Sequence, residues 1–357
     1  MTLKETVNSA HSLWMDDGPE SGIVISSRVR VARNLKDIPF PHLLQKEKAE
    51  GVIHAVRHAL DNPAMVTAAG RLELCRMAEL SPVERQILVD KHLISPVLLN
   101  DYQDKAVALR EDEVVSIMVN EEDHLRIQCL LPGLQLSGAW ETVDKVDDGL
   151  EKTLDYAFSE HYGYLTACPT NVGTGMRASV MLHLSGLVLT RQLNGVLAAI
   201  HKLGLTVRGL YGEGTEALGD LFQISNQITL GQQEEEIIAN LTSITRQILA
   251  QERAARTALY KEKKEMVEDR VWRSYGIVTH ARIISAEEIM KLISDLRLGL
   301  DLNILPPVPL RLLNELMVMT RPAFLIKLSG QDLSPYQCDL YRAGLLRDKL
   351  KNRDIQA

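Results

Sequence analysis

The chain has 357 residues, 45% hydrophobic and 24% charged, with only 4% aromatics and a net charge of −7. That length allows about two domains whose cores must be filled by Leu, Ile, Val and Ala. The acidic balance argues against a nucleic-acid-binding scaffold, and no apolar run approaches the roughly 20 residues of a membrane span.

Taken in chain order, Ile23 to Val31 alternates and predicts a strand. Ile23, Ile25, Val29 and Val31 would point one way, and Ser26, Arg28 and Arg30 the other. Val114 to Val119 and Leu125 to Leu131 are two apolar runs joined by an acidic tetrad, so they read as a hairpin with Asn120-Glu121-Glu122-Asp123 at its turn. The apolar Tyr164-Leu165-Thr166 leads into Cys168-Pro-Thr-Asn-Val-Gly-Thr-Gly-Met-Arg177. Ala178 to Leu203 is helix-permissive and stops at Gly204, which would place Arg177 at a helix start. Phe222 to Leu230 alternates again and stops at Gly231. Glu234 to about Tyr260 puts Ile237, Ile238, Leu241, Ile244, Ile248 and Leu249 on one face of a long helix. The charged run Lys261 to Glu265 reads as the solvated end of that helix. The remainder reads as mostly helical, broken at Pro306, Pro307 and Pro309, so a domain boundary is expected near residue 265. No internal repeat or low-complexity tract is present. The N-terminus lacks the apolar stretch of a signal peptide, and Cys75, Cys129, Cys168 and Cys338 lack metal-ligand spacing. The expectation is four free thiols in a reducing cytoplasm.

Two arginines side by side on a strand face call for an anion between them, and their planar forks of donors suit phosphate oxygens. Three consecutive carboxylates, Glu121 to Asp123, repel one another, so a purely structural role explains them poorly. The glycines of the 168–177 segment would let the backbone approach a ligand closely. Arg208 to Glu216, with three glycines and two carboxylates, looks like a flap that closes over a substrate. Arginines that hold a polyphosphate, with a carboxylate that orients a cationic acceptor and takes its proton, suit phosphoryl transfer to a guanidinium.

These stretches resemble the phosphagen (guanidino) kinases, the family of creatine and arginine kinase. The matching motifs are V-I-S-S-R-V-R from Val24, N-E-E-D-H-L-R from Asn120, C-P-T-N-V-G-T-G-M-R from Cys168 and R-G-L-Y-G-E-G from Arg208. The resemblance implies an α/β fold, an antiparallel sheet flanked by helices, followed here by a helical C-terminal domain. It implies a catalytic domain over 1–265 and a dimerisation and phosphoarginine-binding domain over 266–357. It casts Glu122 as the catalytic carboxylate, Cys168 as the active-site thiol and Glu213 as a partner of the incoming guanidinium. Nucleotide contacts are implied for Ser26, Ser27, Arg28, Val29, Arg30, His92, Arg126, Arg177, Ala178, Ser179, Val180, Met181, Arg208, Gly209, Leu210, Tyr211, Gly212 and Glu213. ATP and Mg2+ are implied, without a dedicated protein cage for the metal.

The metabolite kinases carry a helical domain ahead of the V-I-S-S-R-V-R strand, which here begins near residue 21. With a long segment after the kinase part instead, the layout resembles the bacterial protein-arginine kinases. Those carry an R-D-x-x-R-A motif described as a secondary phosphoarginine site. The aligned residues here are Cys338, Asp339, Arg342 and Ala343, with Cys in place of the first Arg. The resemblance implies protein substrates with exposed arginine, a McsA-type activator, the repressor CtsR, the ClpC–ClpP protease and a homodimer. Two alternatives stay open: a kinase of free arginine or another small guanidino compound, and an idle adaptor that binds phosphoarginine proteins.

Overall fold

A computed structural model describes residues 3–209 and 217–351. Among the described residues the ten strands are β1 (Val24–Arg33), β2 (Leu72–Arg76), β3 (Ala106–Arg110), β4 (Val115–Val119), β5 (Leu125–Pro132), β6 (Phe158–Ser159), β7 (Gly163–Tyr164), β8 (Met176–His183), β9 (Leu205–Gly209) and β10 (Leu221–Asn226). All but β6 and β7, a small hairpin of their own, form one antiparallel sheet in the order β2-β3-β4-β5-β1-β8-β10-β9. The helices of the first part are α1 (Leu3–Asn8), α2 (Lys46–Leu60), α3 (Pro63–Ala69), α4 (Pro82–Asp90), α5 (Leu136–Glu151), α6 (Ser185–Leu189), α7 (Leu193–Lys202) and α8 (Glu234–Glu262). Then come α9 (Lys264–His280), α10 (Ala286–Asp301), α11 (Leu310–Met319), α12 (Pro322–Ser329) and α13 (Pro335–Lys351).

Pairing register decides which side chains share a face. Arg28 and Arg30 sit opposite Leu130 and Gln128 on β5, and opposite Ser179 and Arg177 on β8. Val29, Val31, Ile127, Ala178, Val180 and Ile224 fill the other face and join the apolar stripes of α5 and α8 in one core. The expected helical stripe of Ile237, Ile238, Leu241, Ile244, Ile248 and Leu249 is buried there.

A register shift between Val24 and Ser26 in the β1–β8 pairing changes one expectation. At a bulge the alternation breaks, so neighbours no longer take opposite faces in turn. Ile25 therefore joins the second core, with Leu130, Met181 and Met118, while Ile23 and Val24 both stay in the first. A larger correction concerns 176–183. Met176–His183 is a central strand, not the start of a helix, and helix resumes only as the short α6 and then α7. Arg177 accordingly lies on a strand rather than at a helix N-terminus.

The second core runs from the sheet into α9–α13 without interruption. Buried Arg256 of α8 pairs with Glu252 at 2.6 Å and Asp301 of α10 at 2.8 Å, and donates to the carbonyl of His183 at 2.9 Å. Asn314 of α11 donates to the carbonyl of Met15 at 2.8 Å. Lys263, with φ −138 and ψ 43, breaks the helix between α8 and α9 inside the charged run.

Candidate active site

The register places five arginines on one sheet face. Arg30 faces Arg177 directly across β1 and β8, and Arg126 of β5 lies opposite Ala32, two residues along from Arg30. Arg208 of β9 is opposite Gln223, itself opposite Met181 of β8. Such crowding opposes charge. Burial, Arg126 and Arg177 together push the Arg28 guanidinium down to about 10. Burial and the neighbouring Arg28 push Arg30 well below its usual value, and burial with Arg208 lowers Arg177. Arg28 Nε and Arg177 Nε are buried without a hydrogen-bond partner among the described residues. Unpaired, mutually repelling donors on one sheet face fit the oxygens of a polyphosphate, and four of the five arginines line one space.

That space is a cleft of about 470 Å³ lined by Arg30, Glu122, Arg126, Cys168, Arg177 and Arg208, with Thr170, Asn171, Thr206 and Gln227 among its other walls. Beside it, Ser26, Arg28, His92, Ser179, Met181 and Gln223 line a second recess. His92 has a left-handed backbone, φ 61, and its ring packs 5.4 Å from that of Trp14. Burial, followed by Arg28 and Arg321, pushes His92 down to about 3, so its ring is neutral.

The acidic turn divides its labour. Glu121, its side chain 1% exposed, takes a hydrogen bond from Ser95 and pairs with Arg126 at 2.6 Å. Asp123 is fully buried and accepts from Asn34 and from the Ala167 N–H, both at 2.7 Å. Only Glu122 faces the cleft, 41% exposed, 2.7 Å from Arg126. Two of the three carboxylates are thus structural, and their anchoring presents the third.

The loop of Cys168 is held from behind. Arg33, whose parity puts it on the opposite face from Arg28 and Arg30, pairs with Asp147 at 2.6 Å and lies 3.4 Å above the Tyr164 ring. It also donates to the Thr174 carbonyl at 2.9 Å. Gly173 and Gly175 have φ +109 and +67, and a Cβ on either would strike the Thr229 or Ala32 carbonyl. Both glycines are needed for backbone packing, Gly173 against the 229–230 segment and Gly175 against β1, and Gly175 also lines the cleft. Cys168 Sγ lies 3.0 Å from Thr170 Oγ1 at the cleft wall.

Not every expected residue reaches the cleft through its side chain. Val29, Ala178 and Val180 are buried in the first core. Ser27 donates to the Gly133 carbonyl at 2.8 Å and accepts from the Gln135 N–H at 2.9 Å, fixing the loop before α5. Gly209 ends β9, while Leu210, Tyr211, Gly212 and Glu213 lie outside the described residues. Thr170, Asn171, Thr206 and Gln227 were not anticipated. Thr206 was legible in principle, two residues before Arg208 on the same strand face, had β9 been recognised.

Three of the four residues implied for a phosphoarginine site near the C-terminus are buried. Arg342 is fully buried, donating to the carbonyls of Thr320 at 2.8 Å and Ile284 at 2.7 Å and pairing with Asp339. Cys338 and Ala343 are buried beside it. Its guanidinium is a strut between helices.

A family model for the ATP:guanido phosphotransferase C-terminal catalytic domain matches residues 51–255, and one for the protein-arginine kinase McsB C-terminal domain matches 264–357. The protein-arginine kinase of Pelotomaculum thermopropionicum is 72% identical, covering 99% of this chain and 100% of its own. This chain belongs to the protein-arginine kinase family. The enzyme of Desulforamulus reducens is 58% identical, covering 99% of each chain. Among solved structures, a duplicated taurocyamine kinase from Schistosoma mansoni, with bound transition-state-analogue components, is 26% identical with a TM-score of 0.60. It is matched over 70% of this chain and 36% of its own. A lombricine kinase, 22% identical with a TM-score of 0.57 over 70% and 71%, shares the fold. This chain therefore combines a guanidino-kinase sheet with a helical C-terminal region.

Proposed function

We propose that this chain transfers the γ-phosphate of ATP to arginine side chains of proteins, with Glu122 as the base. One observation carries the reading: five arginines share one sheet face, four of them line the cleft, and the only carboxylate of the acidic turn that enters it is Glu122. Arg28, Arg30, Arg126, Arg177 and Arg208 hold the phosphate oxygens and spread the charge that develops during transfer. A guanidinium nitrogen attacks the γ-phosphorus as its proton passes to Glu122. The bond from that phosphorus to the β–γ bridging oxygen breaks, and ADP leaves. Mg2+ bound to the phosphates would neutralise part of their charge. No group of three or more His, Cys, Asp or Glu suited to hold a metal occurs among the described residues.

Glu122→Gln preserves shape and removes the base. A rate loss of about 10²–10⁴-fold with ATP binding retained is the expected result. Near-normal transfer to protein would remove Glu122 from this role, and faster transfer to free arginine than to protein would favour the small-substrate reading.

The same reading places the chain in the cytoplasm, under a McsA-type activator, phosphorylating the repressor CtsR and marking proteins for ClpC–ClpP. The full-length likeness to protein-arginine kinases supports it, and no helix among the described residues is long and apolar enough to cross a membrane. The domain boundary near 265 is supported by the helix break at Lys263. A homodimer through the C-terminal region is supported by the exposed Tyr336, Leu340 and Tyr341 of α13.

A further inference from the structure

His92 shares the recess beside the arginine cleft with Arg28, Leu130 and Met181, and its backbone is left-handed. A residue with a side chain keeps that conformation only where its surroundings over-determine it. The His92 N–H donates to the Val89 carbonyl at 2.9 Å, and Gln128 of β5 donates to the His92 carbonyl at 2.8 Å. The preceding carbonyl, that of Lys91, accepts from the indole N–H of Trp14 at 3.0 Å. The same indole packs against the His92 ring, centroids 5.4 Å apart and planes tilted by 55°. Trp14 therefore holds both the peptide before His92 and the ring itself. Trp14 is in turn fixed, with 1% of its surface exposed. Its segment and the His92 loop share one carboxylate: Ser12 donates to Glu113, and the Lys91 ammonium pairs with it at 2.7 Å. From the other side, Asn314 of α11 donates to the carbonyl of Met15 at 2.8 Å.

We infer that Trp14 is a positioning residue for the nucleotide: it sets the His92 ring in its recess, and through that ring the affinity for the nucleoside end of ATP. The inference rests on the ATP-dependent reading above and deepens it. Neutral His92 offers a flat face and a hydrogen bond, but no charge for a phosphate. Leu130 and Met181 beside it are apolar, so the recess suits a base or sugar while the arginines take the polyphosphate. Trp14 is not among the residues lining the recess, so its effect passes through His92. Without the indole, the 91–92 peptide relaxes toward ordinary backbone and the ring loses its support. ATP must then restore that arrangement as it binds, which lowers its apparent affinity.

The test uses the full chain, with ATP and inorganic tripolyphosphate as probes. Trp14→Leu should raise Kd and KM for ATP about tenfold, the worth of roughly one hydrogen bond and a ring contact. Its kcat at saturating ATP should stay within about twofold of wild type. Its affinity for tripolyphosphate should be unchanged, because the arginines are untouched. Trp14→Phe keeps a ring against His92 but no donor for the Lys91 carbonyl, and should recover part of the loss. Equal loss of both ligands, a fall in kcat alone, or unchanged ATP affinity overturns the inference. A second measurement leaves Trp14 in place. Trp140→Phe/Trp272→Phe makes Trp14 the only tryptophan, and ATP should shift its fluorescence while tripolyphosphate does not. The same response to both probes, or to neither, overturns the inference even if every Trp14 variant fails to fold. Wild type that binds no ATP removes the kinase reading itself, and this inference with it.

Discussion

Removing an arginine from the crowded sheet face should stabilise the ligand-free protein. Arg28 is only partly exposed, faces no counter-charge among the described residues and is pushed from its usual value down to about 10 by burial, Arg126 and Arg177. A displacement of that size corresponds to about 3 kcal/mol of opposition to its charge. Solvent at the cleft mouth screens part of this, so Arg28→Met, which keeps the alkyl stem, should gain about 1–2 kcal/mol. A cation whose folded-state pKa lies below its unfolded value is penalised wherever it is charged. The penalty is therefore fully present below about pH 10 and fades only as pH rises through that value. The advantage of the variant should accordingly be flat from roughly pH 6 to 9. Urea unfolding in buffer free of phosphate and sulfate measures it. Adding ATP at about 100 times its Kd should give wild type about 2.7 kcal/mol and the variant little, reversing their order. A variant less stable than wild type without anions would refute the view that the arginines are held against mutual repulsion.

Three further outcomes are expected. Glu113→Ala leaves buried Lys91 without the carboxylate 2.7 Å away and should destabilise by about 3–5 kcal/mol in urea, whereas Lys91→Met/Glu113→Leu should recover most of that loss. Arg342→Ala orphans the carbonyls of Thr320 and Ile284 and should lower stability by about 3 kcal/mol or more in the same assay. Calorimetry on wild type should find weak or absent binding of free phosphoarginine at that site, and tight binding abolished by a stably folded Arg342 variant would restore the pocket reading. Cys168→Ser should keep part of the activity while resisting peroxide, and unchanged peroxide sensitivity would remove Cys168 from that account.

What the sequence revealed depended on whether its period survived burial. The hairpin of β4 and β5 was legible because its acidic turn sharply interrupts two apolar runs. In β1 the alternating arginines stood out against Val29 and Val31, yet the bulge that turns Ile25 into the second core leaves no mark in composition. Strand β8 was hidden for the opposite reason. Every residue from Met176 to His183 except Arg177 is buried, and Ala, Met and Leu there suit a helix as well as a strand. Neighbouring strands on both sides override that local preference. At the cleft, the identity of the arginines was readable, but not their convergence, which depends on the register of five strands. The separate duties of Glu121, Glu122 and Asp123 could not be read either, since Ser95, Asn34 and Ala167 approach them from distant parts of the chain.

The continuous second core has a consequence for dissecting this protein. Ile25, Met118, Leu130 and Met181 belong to the sheet, yet they share their core with α9–α13. A fragment ending at Lys263 would lose the α9–α13 part of that core and expose the apolar surface left behind. Such a fragment is a poor stand-in for the catalytic half of the whole chain. Any change in its nucleotide affinity would reflect a newly wetted sheet surface as much as a lost regulatory signal. Dissection by point substitutions at the seam, such as Asn314 or Asp301, leaves that surface covered.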